Sequence, residues 1–166
     1  MDETKPSRER AIVAGAIAAA VVSLLPYVNI ILITAYVVGA FVAVWFAIKK
    51  LGERLSYKEG AKLGFVSVFL GTLAAAAIFD IIWQFSGYQL WQKQNAAMML
   101  AIFRSFASAS TVDTMSIAMA QNAEKPFAWY IFLVQVIAGA IFAALFAMPS
   151  GLLAVKMFGG KRAGSA

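Results

Sequence analysis

The chain has 166 residues, of which 62% are hydrophobic and 13% are charged. This composition is too apolar for a water-soluble domain and predicts an integral membrane protein. The formal net charge of +6 does not indicate nucleic-acid binding, because Lys and Arg flank the apolar runs instead of forming one polar face. With no Cys and no His, we predict neither an enzyme nor a cofactor or metal site.

Two transmembrane helices are predicted in the first apolar region. No charged residue occurs between Arg10 and Lys49, and a single helix of this length would extend about 57 Å across a hydrocarbon core of about 30 Å. A Pro-x-x-Asn turn at residues 26–29 separates the spans, at about 11–26 and 30–48. The first run could instead be a signal-peptide core, but no small-residue cleavage site follows it.

A basic connector from Lys49 to Lys62 determines the predicted topology. Lys and Arg in short loops favour the cytoplasmic side. The N-terminal tail, the connector and the C-terminal end together hold eleven of them, against three in the remaining segments. Both termini are therefore predicted to be cytoplasmic. Ser56-x-x-Glu59 matches a capping box, so the third helix should begin inside the connector.

The third and fourth spans are predicted at about 63–84 and 127–148. Pro126 suits the first position of the last helix. Pro149 is expected to kink or end that helix, which could then continue as far as Phe158.

Two polar residues fall within these spans. Asp80 would lie roughly 5 Å short of the outer boundary. It is either functional or interfacial and in reach of water or headgroups, which is the reading we favour; pairing with Arg104 or Lys93 is a further possibility. Gln135 lies deeper in the fourth span, where an interhelical hydrogen bond is expected.

Residues 86–125 are predicted to form an outer helical segment. Residues 90–107 read as an amphipathic helix on the membrane or across the helix ends. Ser110-x-x-Asp113 could be a second capping box, opening a helix that reaches about Asn122. The apolar side of the segment is a candidate partner surface, with burial against lipid or the other helices as the alternative; it comprises Met98, Met99, Phe103 and Phe106.

Small residues at intervals of four predict faces where helix backbones approach closely. The candidates are Gly15, Ala35, Gly39, Ala43, Gly64, Gly71, Gly139 and Ala143. The second and fourth spans also share a ten-residue pattern, GAFVAVWFAI from Gly39 and GAIFAALFAM from Gly139. A duplicated hairpin would explain this pattern, and so would biased composition.

Several motifs together resemble a family of uncharacterised small four-pass membrane proteins of bacteria. They are Leu25-Pro26-x-x-Asn29, Gly39, Lys49-Lys50, Leu55-Ser56-Tyr57-x-x-Gly60-Ala61-x-Leu63-Gly64 and Gly151-x-x-x-x-Lys156-x-Phe158. The resemblance covers about the first half of the chain and its last helix. It implies a hairpin turn, a basic loop and a glycine-spaced third helix, and it implies no activity or ligand.

The resulting prediction is an all-α, four-helix transmembrane bundle in the bacterial inner membrane, with both termini cytoplasmic and an amphipathic outer segment between the third and fourth helices. We expect a non-enzymatic accessory or scaffold subunit, in contact with membrane lipids and either homo-oligomeric or part of a larger membrane complex. The alternative is an oligomeric transporter or channel with Asp80 and Gln135 beside the permeation path.

Overall fold

The computed structural model describes residues 8–25, 33–87, 92–123 and 128–159. In these ranges the regular elements are all helical, with wide π-type turns after α2 and α6. They are α1 (Arg8–Leu24), α2 (Ile33–Trp45), a π turn (Phe46–Lys50), α3 (Tyr57–Ser86), α4 (Gln92–Arg104), α5 (Ala109–Ala123), α6 (Trp129–Phe142), a π turn (Ala143–Ala147) and α7 (Met148–Phe158). The predicted turn at residues 26–29 and the expected helix start at Pro126 lie outside the described residues.

Three helical rods are long and apolar enough to cross a membrane. They are Ile33–Lys50, Tyr57–Ser86 and Trp129–Phe158. Helices of this length and composition suit the interior of a bilayer, where all backbone polar groups must be satisfied within the segment. The prediction of an all-helical, multi-pass membrane protein agrees with this architecture.

Helix α1 has 17 residues and buries every fourth one against its neighbours. The buried side is made of small residues, namely Ala11, Gly15, Ala19 and Ser23. The opposite side exposes Val13, Ile17 and Val21, each more than half accessible. A helix with small residues inside and branched aliphatic residues outside packs closely on other helices while presenting apolar surface to its surroundings.

The capping box predicted for α3 is confirmed. The Oγ of Ser56 accepts a hydrogen bond from the backbone N–H of Glu59, and the Glu59 carboxylate accepts one from the backbone N–H of Ser56. These bonds satisfy donors that a helix start leaves free. The helix ends at Gly87, whose φ of 66° is in the left-handed region that glycine adopts without a Cβ penalty.

The last rod continues past Pro149, where the sequence predicted a kink or an end. Proline has no N–H to donate to the carbonyl four residues earlier. The turn before it is wide, and the N–H of Met148 reaches back to the carbonyl oxygen of Ala143. This π-type turn accommodates the proline within a continuous helix from Trp129 to Phe158.

The start predicted for α5 is wrong by two residues. The helix begins at Ala109, and Ser108 precedes it with its Oγ accepting from the backbone N–H of Thr111 at 3.3 Å. The N–H of Val112 also donates to the carbonyl oxygen of Ser108. Ser108 thus occupies the capping position that the sequence pattern assigned to Ser110, because several consecutive hydroxyl residues can each serve as a cap.

Helix α3 lies at the centre of the helical core, which we define as α1, α2, α3, α6 and α7. It contacts each of the other four helices, α1 contacts α2, and α2 contacts α7. Helices α4 and α5 pack on each other. One end of the core carries the connector at residues 51–56 and is called the connector end; Asp80 lies toward the opposite end.

Candidate functional site

Close helix packing occurs where α1, α2 and α3 meet. A Cβ placed on Gly15 would lie 2.6 Å from the Cβ of Ala43, 2.7 Å from the carbonyl oxygen of Gly39 and 2.8 Å from the Cβ of Ser67. Ala35, about two turns before Ala43 on α2, is also buried. The helices therefore approach so closely that only glycine fits at position 15.

Two more glycines from the predicted faces lie in close contacts of α3. A Cβ on Gly71 would collide with the backbone of Ala16 in α1. A Cβ on Gly64 would lie 2.8 Å from the carbonyl oxygen of Ala147 and 3.1 Å from the Cβ of Ala40. Helix α3 therefore packs closely on both sides, on α1 through Gly71 and on the last rod through Gly64.

Gly139 departs from the packing expectation, whereas Ala143 follows it. Ala143 is fully buried beside Val68. At Gly139 the nearest atom to an added Cβ would be the Oγ1 of Thr72, at 3.8 Å. Helix α6 has no fully buried residue, because it packs mainly on α3. The sequence likeness between Gly39 and Gly139 therefore does not extend to their surroundings.

The rod Trp129–Phe158 runs antiparallel to α3 in a regular register. Gly60 faces Gly151, Gly64 faces Ala147, and Thr72 faces Gly139. The same register places Gln135 opposite residue 76 of α3, one turn before Asp80. The side chains of Gln135 and Asp80 are in contact. We call this contact line the α3/rod seam.

Asp80 and Gln135 form a polar pair within the seam. The Nε2 of Gln135 donates to the Oδ1 of Asp80 at 3.3 Å, which is the interhelical hydrogen bond expected for Gln135. Asp80 is only 6% accessible. The Oδ2 of Asp80 and the Oε1 of Gln135 are both buried without a hydrogen-bond partner.

The burial of Asp80 overturns the reading that it reaches water or headgroups. In the described part of the chain the carboxylate has Gln135 as its hydrogen-bond partner, and the ion pairs found there do not include Arg104. The Lys93 side chain lies outside the described residues. Position along the helix placed Asp80 near the rim, but the α3/rod seam, which the sequence did not reveal, covers it.

A second polar cluster lies at the connector end. Arg8 in the first turn of α1 bridges two acids: its Nε lies 2.9 Å from a Glu53 carboxylate oxygen, and one of its Nη atoms lies 2.6 Å from a Glu59 oxygen. We call Arg8, Glu53 and Glu59 the connector clasp. The sequence analysis missed it, although one basic residue in the tail and two acids in a basic loop could have suggested it.

The clasp and the capping box both act on Glu59. The backbone N–H of Ser56, the Arg8 guanidinium and the Ser56 hydroxyl hold the pKa of Glu59 at about 2. The two carboxylates raise the pKa of Arg8 above its ordinary value. Every one of these groups except Glu53 is more than a third exposed. The clasp therefore consists of surface ion pairs, which contribute little stability but orient α1 relative to the connector.

The predicted partner surface lies on the hairpin of α4 and α5. The rings of Phe103 and Phe106 are 5.1 Å apart, and Phe106 remains 70% accessible. Ile102 and Ile117 are also exposed. The side chains of Met98 and Met99 lie outside the described residues. The hairpin surface, defined here as Ile102, Phe106 and Ile117, is apolar and uncovered by the described chain.

The described residues hold no group of three or more His, Cys, Asp or Glu side chains placed to bind a metal ion. Comparison with family models, curated proteins and solved structures found no match.

Proposed function

We propose that the chain is a four-pass protein of the bacterial inner membrane that acts as a non-enzymatic accessory or scaffold subunit. The proposal rests on how the core is filled. Its glycines lie against the backbone and the small side chains of neighbouring helices, and the buried hydroxyls of Ser67 and Ser150 bond to carbonyls of their own helices. Such an interior holds helices together, and in the described ranges its polar side chains are too few to line a path through one protomer.

The fourth pass would be supplied by α1. Its residues from Ala11 onward carry no charge, and it lies along α2 and α3. Since the clasp joins Arg8 to the connector, α1 begins at the level where α3 begins. These relations support a four-helix transmembrane bundle.

A cytoplasmic location of both termini is supported by the charge at the connector end. The clasp engages both connector acids. The basic residues around them stay exposed; they are Arg10, Lys49, Lys50, Arg54, Lys58, Lys62 and Lys156. An uncompensated cluster of Lys and Arg favours the cytoplasmic side, where it also faces anionic lipid headgroups.

The hairpin surface is the proposed docking site for the partner. Phe106 and Ile117 are more than half accessible, and exposed aromatic and aliphatic side chains of an extramembrane segment bury apolar area when a second protein binds. Contact with the membrane surface is the competing use of this face.

A second candidate is an oligomeric transporter or channel, and the Asp80–Gln135 pair is the observation in its favour. Ionisable residues in membrane helices commonly line substrate or ion pathways. The pair lies on the α3/rod seam beside α6, which has no fully buried residue. In this case a neighbouring protomer would complete the path against α6.

Native mass spectrometry after extraction in mild detergent tests the first proposal. A foreign partner in fixed stoichiometry is expected, and Phe106→Asp should release it because the new charge would be buried at the contact. Thr114→Asp is the matched control: it places the same charge at an exposed, already polar position of the hairpin, and should leave the partner bound. A monomer with nothing bound would contradict both proposals.

A closed homo-oligomer without a foreign partner would favour the transporter or channel. Flux into liposomes would then be compared for the wild type, Asp80→Asn and the exposed control Asp113→Asn. Loss of flux in the first variant alone would support a path beside Asp80, and equal flux in all three proteins would remove this candidate.

A further inference from the structure

The two unpartnered atoms of the Asp80–Gln135 pair are of the same chemical kind. A carboxylate oxygen and an amide oxygen are both hydrogen-bond acceptors with no proton to donate. Both atoms, Asp80 Oδ2 and Gln135 Oε1, are buried, and neither has a partner. Each such atom destabilises the fold, because it loses water without gaining a donor. The pair therefore lacks a hydrogen-bond donor for these two oxygens.

No cation of the described helices supplies this missing donor. The parts of α1, α2 and the rod that pack along α3 contain no Lys or Arg in residues 11–25, 33–48 and 128–155. Their ionisable side chains are Tyr36, which packs beside Phe142 and Phe146, and the exposed Tyr130. An ionised Asp80 would be a buried charge without a counter-ion, which is strongly unfavourable.

We propose that the Asp80–Gln135 pair is a proton-binding site in which Asp80 is held as the neutral acid within the α3/rod seam. One proton converts the Asp80 carboxylate from a pure acceptor into a group that can also donate. The acid can then donate to the amide oxygen of Gln135 while the amide N–H donates back to Asp80. Acid and amide complement each other in this way with two hydrogen bonds.

The argument holds for either orientation of the Gln135 amide, whose nitrogen and oxygen are assigned from the hydrogen-bond network. With the nitrogen toward Asp80, two acceptors stay unpartnered. With the oxygen toward Asp80, the 3.3 Å contact would join two acceptors. A proton on the carboxyl group resolves both arrangements.

A metal cation fits this position less well than a proton. Cations with oxygen ligands need several oxygens around them, and the pair offers two unpartnered ones. The hydroxyl of Thr72 on the seam is about two turns from Asp80, too far to share a cation with it. A bound proton needs only two acceptor oxygens, one to carry it and one to receive its hydrogen bond, and the pair provides both.

The site is independent of whether the chain is a scaffold or a carrier, since it concerns what the pair binds. Its structural consequence is local. The protonated pair joins α3 to α6, where the rod otherwise has few close contacts. Removing the proton would break the hydrogen bond to the Gln135 amide oxygen, leave a buried charge on Asp80 and loosen this end of the seam.

Infrared spectroscopy of the full-length protein in lipid membranes tests the proposal directly. The chain contains three aspartates, Asp2, Asp80 and Asp113. A variant carrying Asp2→Asn and Asp113→Asn keeps Asp80 as its sole aspartate, and growth on aspartate with a carbon-13 carboxyl group identifies its signal. For an aspartate in water at pH 7, the ionised form exceeds the neutral acid by about a thousandfold, so it gives no carboxylic acid band.

The expected result is an isotope-sensitive carboxylic acid C=O band at pH 7 in the single-aspartate protein. Gln135→Leu should move this band to higher frequency, because its hydrogen bond is lost, and Asp80→Asn in the otherwise wild-type chain should abolish it. A labelled band at the carboxylate position at pH 7 would overturn the proposal. A band present only after sodium is replaced by choline would also overturn it and would assign the site to a metal cation.

Discussion

The sharpest test of the packing compares Gly39→Ala with Gly139→Ala. The two glycines begin similar ten-residue segments, GAFVAVWFAI and GAIFAALFAM, so the local effect of replacing glycine by alanine in a helix is nearly the same. That effect favours alanine by about 1 kcal/mol. Only the surroundings of the added methyl group differ between the variants.

At Gly39 the methyl group has no room. It would lie 2.7 Å from the Cβ of Ala19, 2.9 Å from a methyl of Val68 and 3.0 Å from the carbonyl oxygen of Gly15. Overpacking of this kind costs roughly 1–3 kcal/mol. At Gly139 the nearest atom is the Oγ1 of Thr72 at 3.8 Å, which is ordinary van der Waals contact. The free energies of unfolding of the two variants should therefore differ by about 1–3 kcal/mol, with Gly139→Ala the more stable.

Unfolding in mixed micelles, followed by circular dichroism as the denaturing detergent increases, measures this difference. We expect Gly139→Ala to match or exceed the wild type by up to about 1 kcal/mol, and Gly39→Ala to fall below Gly139→Ala. If Gly39→Ala were at least as stable as the wild type, the close approach of α1, α2 and α3 at Gly39 would be refuted. If both variants were destabilised equally relative to the wild type, α6 would pack as tightly as α2.

Three further predictions concern the connector end and the topology. Ser56→Ala should lower the free energy of unfolding by about 1 kcal/mol, measured in the same micelles. The pKa of Glu59 is lowered to about 2 in the fold, so its contribution to the free energy of unfolding is fully present above about pH 4.5 and is lost as the pH falls toward 2. Arg8→Gln should make this loss of stability in acid smaller, as measured by a stability series from pH 2 to 6. An unchanged acid dependence would contradict the clasp. Because the chain has no Cys, an impermeant thiol reagent added to whole cells should label Asp113→Cys and spare Arg54→Cys; the reverse pattern would invert the proposed topology.

Much of the fold follows from periodicity and capping chemistry. The long uncharged runs predicted apolar helices, and the Ser56–Glu59 box placed the start of α3 within the connector. These features depend on residues close together in the chain. The first residue of α5 was missed because Ser108, Ser110 and Thr111 offer competing caps, and local chemistry alone does not choose among them.

The features that the sequence did not predict depend on which helices face each other. Small residues at intervals of four mark a face that can pack closely, but they do not say whether another helix occupies it. At Gly39 the neighbouring helices approach closely, whereas at Gly139 the nearest atom to an added Cβ is 3.8 Å away. The clasp was missed for a related reason, because Arg8 and Glu53 are 45 residues apart and only the packing of α1 on α3 brings them together.

The burial of Asp80 shows why the candidate site was hard to foresee. Asp80 follows Gly60 by five steps of four residues, and each step turns a straight α-helix by about 40° beyond a full rotation. Over five steps the side-chain direction rotates about the helix axis by about 200°, so Asp80 should lie on the opposite side of α3 from Gly60. Both nevertheless meet the same rod, Gly60 through Gly151 and Asp80 through Gln135. The contacts therefore follow the inclined row of residues four apart along α3, and the long side chain of Gln135 reaches Asp80 at the end of that row. A change that separates α6 from α3 there should expose Asp80 to water and remove the condition that keeps its proton bound.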